Sequence, residues 1–291
     1  MNSQATVWLY CGAAVIILLA YLPLFSAVAR ASQSNPYAGH VMFVPVFAAL
    51  LLWRERRRLR ALSGQGTLLG AAVIGVALAA AVIADHASSV PFHVLSFVIA
   101  LAGLGLWCYG RRALRLTAFP LAYLLLMTPP PREAVAAVAP HVQHVIAAFS
   151  AVVLDQLRIP FQQHDIFLRL PAITLKVAEE CAGLRFSLIL FVFMAAFARV
   201  VVPSVGGQVV LITAAIPVAL LTNAARVAVT SIGAYAIGPE VVIGPVHYYI
   251  GKAFWALCLL AMVGLAWTLR ATRQAELAGG TRRAHVVAEA P

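Results

Sequence analysis

Long apolar runs, separated by short polar or basic stretches, dominate the pattern along this chain of 291 residues. A membrane-spanning helix needs about 20 consecutive apolar residues, and eight windows approach or exceed that length. The pattern therefore predicts an all-α polytopic membrane protein with about eight transmembrane helices. The windows cover residues 6–29, 39–53, 67–84, 90–109, 113–128, 183–202, 207–223 and 247–269.

Two stretches between the fifth and sixth windows depart from this pattern. Residues 132–157 are rich in Ala and Val but carry scattered polar side chains. We interpret them as an amphipathic helix at the outer surface, because a further crossing would reverse the side of everything downstream. From residue 166 to residue 177 apolar side chains recur at every second position, and Pro171-Ala172 interrupts the run. This alternation predicts a small β-hairpin.

Composition supports membrane insertion and changes the meaning of the charge. The chain is 63% hydrophobic and only 11% charged, whereas soluble domains carry about a quarter charged residues. A net charge of +11 would indicate nucleic-acid binding in a soluble protein. Here the arginines cluster beside apolar windows, which is typical of topology signals, so we expect no nucleic-acid partner.

The basic clusters predict an orientation. Arginines follow the second and last windows and precede the fifth, and placing them all in the cytoplasm threads eight helices with both termini inside. The first apolar run is too long for a signal-peptide core and has no basic segment before it, so we expect a retained span. We predict one transmembrane domain over residues 1–270 and a disordered cytoplasmic tail over residues 271–291.

One short stretch, Glu179 to Arg185, concentrates chemically active side chains in an otherwise apolar chain. Cys181 precedes a long apolar helix, and a thiol in the first helical turn faces the positive end of the helix dipole, which favours the thiolate. Arg185, four residues on, would share its helical face. The alternative is that an isolated cysteine in a membrane protein is a small apolar filler. We interpret the other cysteines, Cys11, Cys108 and Cys258, in that way.

Other polar residues converge on the same predicted side. Asn223 and Arg226 end the seventh window, His247 opens the eighth and His40 opens the second. Each has a structural alternative: Arg226 could snorkel to the interface, His247 could join an aromatic belt, and His40 could cap a helix. A thiol, a guanidinium and an imidazole at one depth nevertheless fit acyl transfer through a thiol.

These residues resemble the exosortase/archaeosortase family of multi-pass membrane cysteine transpeptidases, over most of the chain. The chain departs from the family pattern at Ala182, where the family has serine, and at Val41, where it has glycine. The motifs on which the resemblance rests are His40-Val-Met-Phe-Val-Pro45, Met127-Thr-Pro-Pro130, Glu180-Cys-Ala-Gly-Leu-Arg185, Asn223-Ala-Ala-Arg226 and His247.

The resemblance implies a Cys-Arg-His site, with Cys181 as the acyl-thioester nucleophile and Arg226 and His247 as its partners. His247 would be the general acid and base and Arg226 the oxyanion stabiliser; the family also allows the opposite division. We prefer the first assignment because arginine does not readily release its proton. The chain has no His-Glu-x-x-His motif for zinc, and we predict no metal and no cofactor. Second-shell or substrate-positioning roles would fall to Glu180, Arg185, Asn223 and His40.

The resemblance also implies a substrate class and a location. The expected substrates are exported proteins with a PEP-CTERM-like tail, which consists of a short Pro-Glu-Pro-type motif, a transmembrane helix and a basic cluster. Cleavage would occur at the outer face of the cell (inner or plasma) membrane. The acyl group would pass to an unknown acceptor of the envelope. The expected partners are therefore these exported proteins, membrane lipid and the acceptor nucleophile.

Two other classes of function remain alternatives. In a transporter the same residues would line a path for an anionic solute, although they gather at one face and no pair of matched broken helices is evident. In a scaffold for envelope polysaccharide assembly they would serve helix packing without catalysis. His141 and His144 could share a metal, but no carboxylate stands at a matching spacing, which favours surface histidines.

Overall fold

The structure is a computed structural model that describes residues 3–62, 66–179 and 183–288. Side chains within these ranges are described from residue 12 to residue 275. The chain divides into two compact units, Met1–Pro130 and Pro131–Pro291, each with its own buried core. The sequence analysis predicted a single transmembrane domain over residues 1–270.

The described part of the first unit contains six α-helices. A short 3-10 helix follows α2 at Pro36–Ala38, and another follows α6 at Leu125–Met127. The α-helices are α1 (Ser3–Ala20), α2 (Leu22–Ser34), α3 (Val44–Arg60), α4 (Leu69–His86), α5 (Val90–Tyr109) and α6 (Arg111–Leu124).

A bend of 46° at Tyr21 separates α1 from α2. Pro23 follows in the first turn of α2. Backbone N–H groups in a first turn have no partner within the helix, so a proline there costs no helical hydrogen bond. Tyr21 is fully buried and its hydroxyl donates to Ser96 Oγ of α5, at 3.2 Å. The bend is therefore anchored to α5 by a polar contact inside an apolar core.

Glycines let α4 and α5 pack at backbone distance. A Cβ on Gly70 would lie 2.6 Å from Gly103 O and would also overlap the backbone of Trp107, and a Cβ on Gly103 would lie 3.0 Å from Gly70 O. Thr67 N donates to Leu106 O at 3.2 Å, which joins the chain just before α4 to α5. Small residues that allow close backbone approach are a main source of helix association in membranes.

The second unit combines long helices with a small sheet. α8, α9 and α11 share an apolar core that includes Leu190, Met194, Leu211, Cys258 and Met262. The elements are α7 (Arg132–Gln156), β1 (Gln162–His164), β2 (Phe167–Arg169), β3 (Thr174–Lys176), α8 (Leu184–Val201), α9 (Val205–Ala236), α10 (Glu240–Ile243) and α11 (Pro245–Ala288).

The sheet confirms the predicted β-hairpin and adds a strand. β2 and β3 pair antiparallel with Leu168 opposite Leu175, and both side chains are buried as the alternation predicts. β1 pairs with β2 on its other edge and was not predicted, since its three residues are all exposed and polar. The buried face packs on Leu154 of α7 and Ala234 of α9. The sheet therefore covers the far end of α9.

α9 is longer than the window that predicted it. It has 32 residues, about 48 Å at 1.5 Å per residue, which exceeds a hydrocarbon core of about 30 Å. Its last turns carry Ala224, Ala228 and Ala234, all buried, and Thr230 and Ser231 hydroxyls that donate to carbonyls four residues earlier. Asn223 and Arg226 consequently lie within the helix, which continues beyond the apolar window that predicted it.

Six described helices are long and apolar enough to cross a membrane, or seven if α1 and α2 form one bent span. The polytopic all-α class is confirmed, with six or seven candidate spans in the described residues beside the about eight helices that the sequence predicts. α3 and α6 have only 17 and 14 residues. The windows 39–53 and 113–128 are therefore not among these candidate spans, which are α4, α5, α7, α8, α9 and α11 as far as Ala275.

α7 offers an alternative to the interpretation of residues 132–157 as a surface helix. Its 25 residues span about 37 Å and are apolar enough to cross a membrane. Several of its polar side chains bond to carbonyl oxygens: His141 and His144 contact carbonyls four residues earlier, Ser150 donates to Ile146 O, and Gln143 donates to Val177 O at 2.9 Å. Such internal bonds allow polar residues within a membrane helix.

α11 also extends further than expected. Residues 271–288, predicted to be a disordered tail, continue the helix to Ala288. Ala, Arg, Gln, Glu and Leu in this stretch are strong helix formers, and they sustain the helix beyond the apolar window.

The packing of α4 on α5 generates a stability prediction. Gly70→Ala should lower the thermal stability of the protein in detergent, at a cost of about 1–3 kcal/mol, because the new methyl group overlaps backbone atoms of α5. Gly75→Ala is the matched control, since a Cβ at Gly75 of the same helix meets nothing within 4 Å. Equal melting temperatures for the two variants would contradict the close α4–α5 contact.

Candidate active site

The start of α8 and the middle of α9 touch at Gly183 and Asn223. Gly183 caps α8 with φ of 75°, a left-handed conformation that favours glycine. A Cβ there would lie 2.7 Å from Asn223 Cγ and 2.8 Å from Asn223 Nδ2. Both the backbone angle and the contact therefore require glycine at this position.

Arg226 of α9 and His247 of α11 lie near this contact between α8 and α9. Arg226 follows Asn223 by three residues and lies on the same face of α9. Gly251 of α11 faces it, since a Cβ on Gly251 would lie 3.6 Å from Arg226 Nη1. His247 precedes Gly251 by one helical turn, and its ring interacts electrostatically with the Arg226 guanidinium. Arg226 and His247 thus both lie near the contact between α9 and α11.

Two polar atoms of this pair have unusual surroundings. Arg226 Nε and His247 Nδ1 are both buried, and within the described ranges neither has a hydrogen-bond partner. A buried polar atom without a partner costs about 1–3 kcal/mol, so native structures contain few of them. Among the described residues, His40 Nδ1 and Thr67 Oγ1 share this property. Such atoms at Arg226 and His247 fit a site that binds or transforms a polar group.

A cavity of about 130 Å³ opens beside Arg226. Its polar lining comes from Asn223, Arg226 and Thr222, and the Thr222 hydroxyl is occupied by Val218 O at 2.7 Å. Aromatic rings form the opposite wall. The lining residues are Gly183 and Phe186 of α8, Ala219, Thr222, Asn223 and Arg226 of α9, and Gly251, Phe254 and Trp255 of α11.

The sequence matches a family described as transmembrane exosortase over residues 31–264, which include all of these site residues. The chain belongs to the transmembrane exosortase family. Comparisons with curated proteins and with solved structures give no match. Exosortases are a family of membrane transpeptidases and cysteine proteases, so membership supports the predicted class of protein.

Two predicted site residues of this exosortase, Glu180 and Cys181, lie outside the described residues. α8 begins at Leu184, after the left-handed Gly183. The prediction that Cys181 and Arg185 share a helical face therefore lies partly outside the described residues. Arg185 is exposed and does not line the cavity.

His40 belongs to the first unit of the exosortase. It is buried, and its ring meets the backbone of Tyr37 and Leu126. No side-chain cap bond is found at the start of α3, so the helix-cap alternative for His40 is not supported by the described residues. A positioning role for His40 stays a prediction.

Sequence reasoning missed the apolar side of the cavity. Phe186, Gly251, Phe254 and Trp255 carry no charge and drew no notice within apolar windows. The sequence indicated part of this wall through its spacing, because His247, Gly251 and Trp255 recur every four residues and share a face of α11. No group of three potential metal ligands among His, Cys, Asp and Glu occurs in the part of the chain that is described.

The Gly183–Asn223 contact generates a second stability prediction. Gly183→Ala should destabilise the protein by about 2–4 kcal/mol, from the overlap with Asn223 and from the left-handed backbone angle. The measurement is the melting temperature in detergent, with Gly206→Ala as the control, because a Cβ at Gly206 meets nothing within 4 Å.

A double-mutant cycle separates the two causes. In the Asn223→Ala background the loss from Gly183→Ala should shrink, since two of the three overlapping atoms, Cγ and Nδ2, are gone. Strictly additive losses would show that the two residues do not touch.

Proposed function

We propose that this exosortase is a membrane-embedded cysteine protease and transpeptidase that cleaves C-terminal sorting signals through an acyl-thioester on Cys181. One observation carries the proposal: the contact between Gly183 and Asn223, which joins the start of α8 to the face of α9 that bears Arg226. Cys181 precedes Gly183 by two residues, and consecutive Cα atoms are only about 3.8 Å apart. Covalent geometry thus supports a nucleophile beside Arg226 and His247.

The acylation step uses the three side chains in sequence. His247 accepts the thiol proton, and the Cys181 thiolate attacks the carbonyl carbon of the scissile peptide bond. Arg226 stabilises the oxyanion of the tetrahedral intermediate. When the C–N bond breaks, His247 returns the proton to the leaving amine and the acyl group remains as a thioester. The opposite division of roles is disfavoured because the arginine guanidinium does not give up its proton.

The second step releases the acyl group to an acceptor. A hydroxyl or amine of the envelope, or water, attacks the thioester carbonyl while His247 takes its proton, and the thiol is regenerated. An apolar aromatic wall beside Arg226 limits the access of water, which favours transfer over hydrolysis. Lipids and glycans are the acceptor classes we consider.

The proposed substrates are exported proteins that end in a short Pro-Glu-Pro-type motif, a transmembrane helix and a basic cluster. A substrate helix anchored in the same membrane would hold its motif at a fixed depth. This anchoring replaces much of the binding free energy that a soluble protease must obtain from side-chain contacts, because it raises the effective concentration of the motif.

Seven crossings support an extracytoplasmic site. If α1 and α2 cross first, from outside to inside, then Arg30 and the basic ends of α3 and α6 all lie in the cytoplasm. α7 then crosses outward, α8 inward, α9 outward and α11 inward. This order leaves Arg199 and Arg270 in the cytoplasm. The segment between β3 and α8 lies outside. We propose this threading in place of eight spans with both termini in the cytoplasm, and with it a location in the cell membrane. It leaves His40, between α2 and α3, on the cytoplasmic side, so the proposal gives His40 no role at the site.

The transporter alternative finds little support. A path for an anion would need polar groups along the length of the bundle, but the core that α8, α9 and α11 share is apolar. The scaffold alternative gives no reason why Arg226 Nε and His247 Nδ1 are buried without a hydrogen-bond partner. Both observations favour an enzyme.

Removal of the thiol tests the proposal. Cys181→Ala should abolish cleavage of a reporter that carries a Pro-Glu-Pro-type tail, while the protein remains inserted in the membrane. Cys108→Ala, which removes a buried thiol of α5, is the control and should cleave normally. The measurement is the ratio of cleaved to uncleaved reporter on a gel, and complete cleavage by Cys181→Ala would refute the nucleophile.

Arg226→Lys tests the guanidinium. An ammonium keeps the charge but loses the planar array of donors, so turnover should fall about 100-fold or more. Arg199→Lys, at the far end of α8, is the matched control and should keep normal turnover. The measurement is kcat in proteoliposomes, and near-normal turnover of the Arg226→Lys variant would show that a point charge suffices.

A further inference from the structure

Gly251 leaves an open space in front of Arg226. It lies in the cavity wall on α11, between His247 one turn before it and Trp255 one turn after it. The Gly251 Cβ position is 3.6 Å from Arg226 Nη1, an ordinary van der Waals distance. An alanine would therefore fit the fold, in contrast to Gly183, where a Cβ overlaps Asn223.

A glycine that packing does not require is costly within a helix. Glycine in a helix interior is less favourable than alanine by about 1 kcal/mol. At Gly251 this cost has no compensation in a close helix contact. Because it has no side chain, Gly251 leaves space beside Arg226 that a bound group can occupy.

The rest of the cavity indicates what that group is. Phe186 and Trp255 both line the cavity and contact each other, with ring centroids 6.3 Å apart and ring planes inclined by 60°. Trp255 is half exposed, so the opening between α8 and α11 reaches the surface of the bundle. Thr222 has its hydroxyl bonded to its own helix. The part of the lining that Phe186, Gly251 and Trp255 form carries no charge and fits an apolar side chain of limited size.

We propose that Gly251, Phe186 and Trp255 form the subsite for a substrate side chain next to the scissile bond, and that Gly251 sets its size limit. This assignment rests on the proposed function, since it uses the position of the cavity beside Arg226. The substrate side chain enters between α8 and α11, contacts the two aromatic rings, and brings the adjacent carbonyl to the guanidinium.

Variants of Gly251 test the size limit with little risk of unfolding. Gly251→Ala and Gly251→Val both raise helix propensity, so lost activity cannot be ascribed to a weaker helix. The probe is a membrane-anchored reporter with a Pro-Glu-Pro-type tail in which each motif position is replaced in turn by Ala, Leu or Trp. The readout is kcat/KM for each reporter in proteoliposomes.

At one motif position, Gly251→Val should lower kcat/KM for the Leu reporter by about tenfold or more, while the Ala reporter stays within a few-fold of wild type. Trp255→Ala should shift the preference the other way, toward the Trp reporter. Gly264→Val is the control on the same helix, because a Cβ at Gly264 meets nothing within 4 Å, and it should leave the ranking unchanged.

A uniform loss with all reporters would overturn the subsite, since a disturbed Arg226 slows every substrate equally. An unchanged ranking in Gly251→Val would overturn it as well. Failure of the proposed function has a different signature, because reporter cleavage would then persist in Cys181→Ala, whatever the ranking of side chains.

Discussion

The contact between Gly183 and Asn223 is the constraint on which the site depends. A left-handed glycine starts α8 and brings its backbone against the Asn223 side chain, closer than any residue with a Cβ allows. Arg226 lies one turn further along α9 and meets α11 near His247. If this contact were lost, the start of α8 would no longer be fixed to the helix that carries the guanidinium.

The small sheet and the long α9 support this contact from the other end. α9 is too long for a hydrocarbon core, and the sheet and α7 bury its last turns. Gln143 of α7 donates to Val177 O, just after β3, and His144 pairs with Asp165 in the β1–β2 turn. These bonds tie the chain that leads toward α8 to a packed scaffold. In an exosortase, such a scaffold would give the nucleophile a defined approach to its partners.

Sequence reasoning succeeded where one physical signal dominated. The alternation predicted the hairpin in which Leu168 and Leu175 are buried. Sequence reasoning also singled out Asn223, Arg226 and His247 as polar groups in apolar windows, and their role in a site stays a prediction. It failed where tertiary packing decided the outcome. The exposed, polar Gln162–His164 stretch carries no alternation that predicts β1. α9 runs past its apolar window, and Ala224 and Ala234 in the added length pack against α7. Gly251 could not be recognised without its neighbour Arg226.

The proposed mechanism requires a covalent bond between the substrate and Cys181. The most direct measurement is an acid quench of the exosortase during turnover of a Pro-Glu-Pro-tailed reporter, followed by mass spectrometry of the Cys181 peptide. The N-terminal reporter fragment should appear joined to Cys181 as a thioester that hydroxylamine releases. An acyl adduct on another residue, or cleavage that continues after Cys181 has been fully alkylated, would contradict the account.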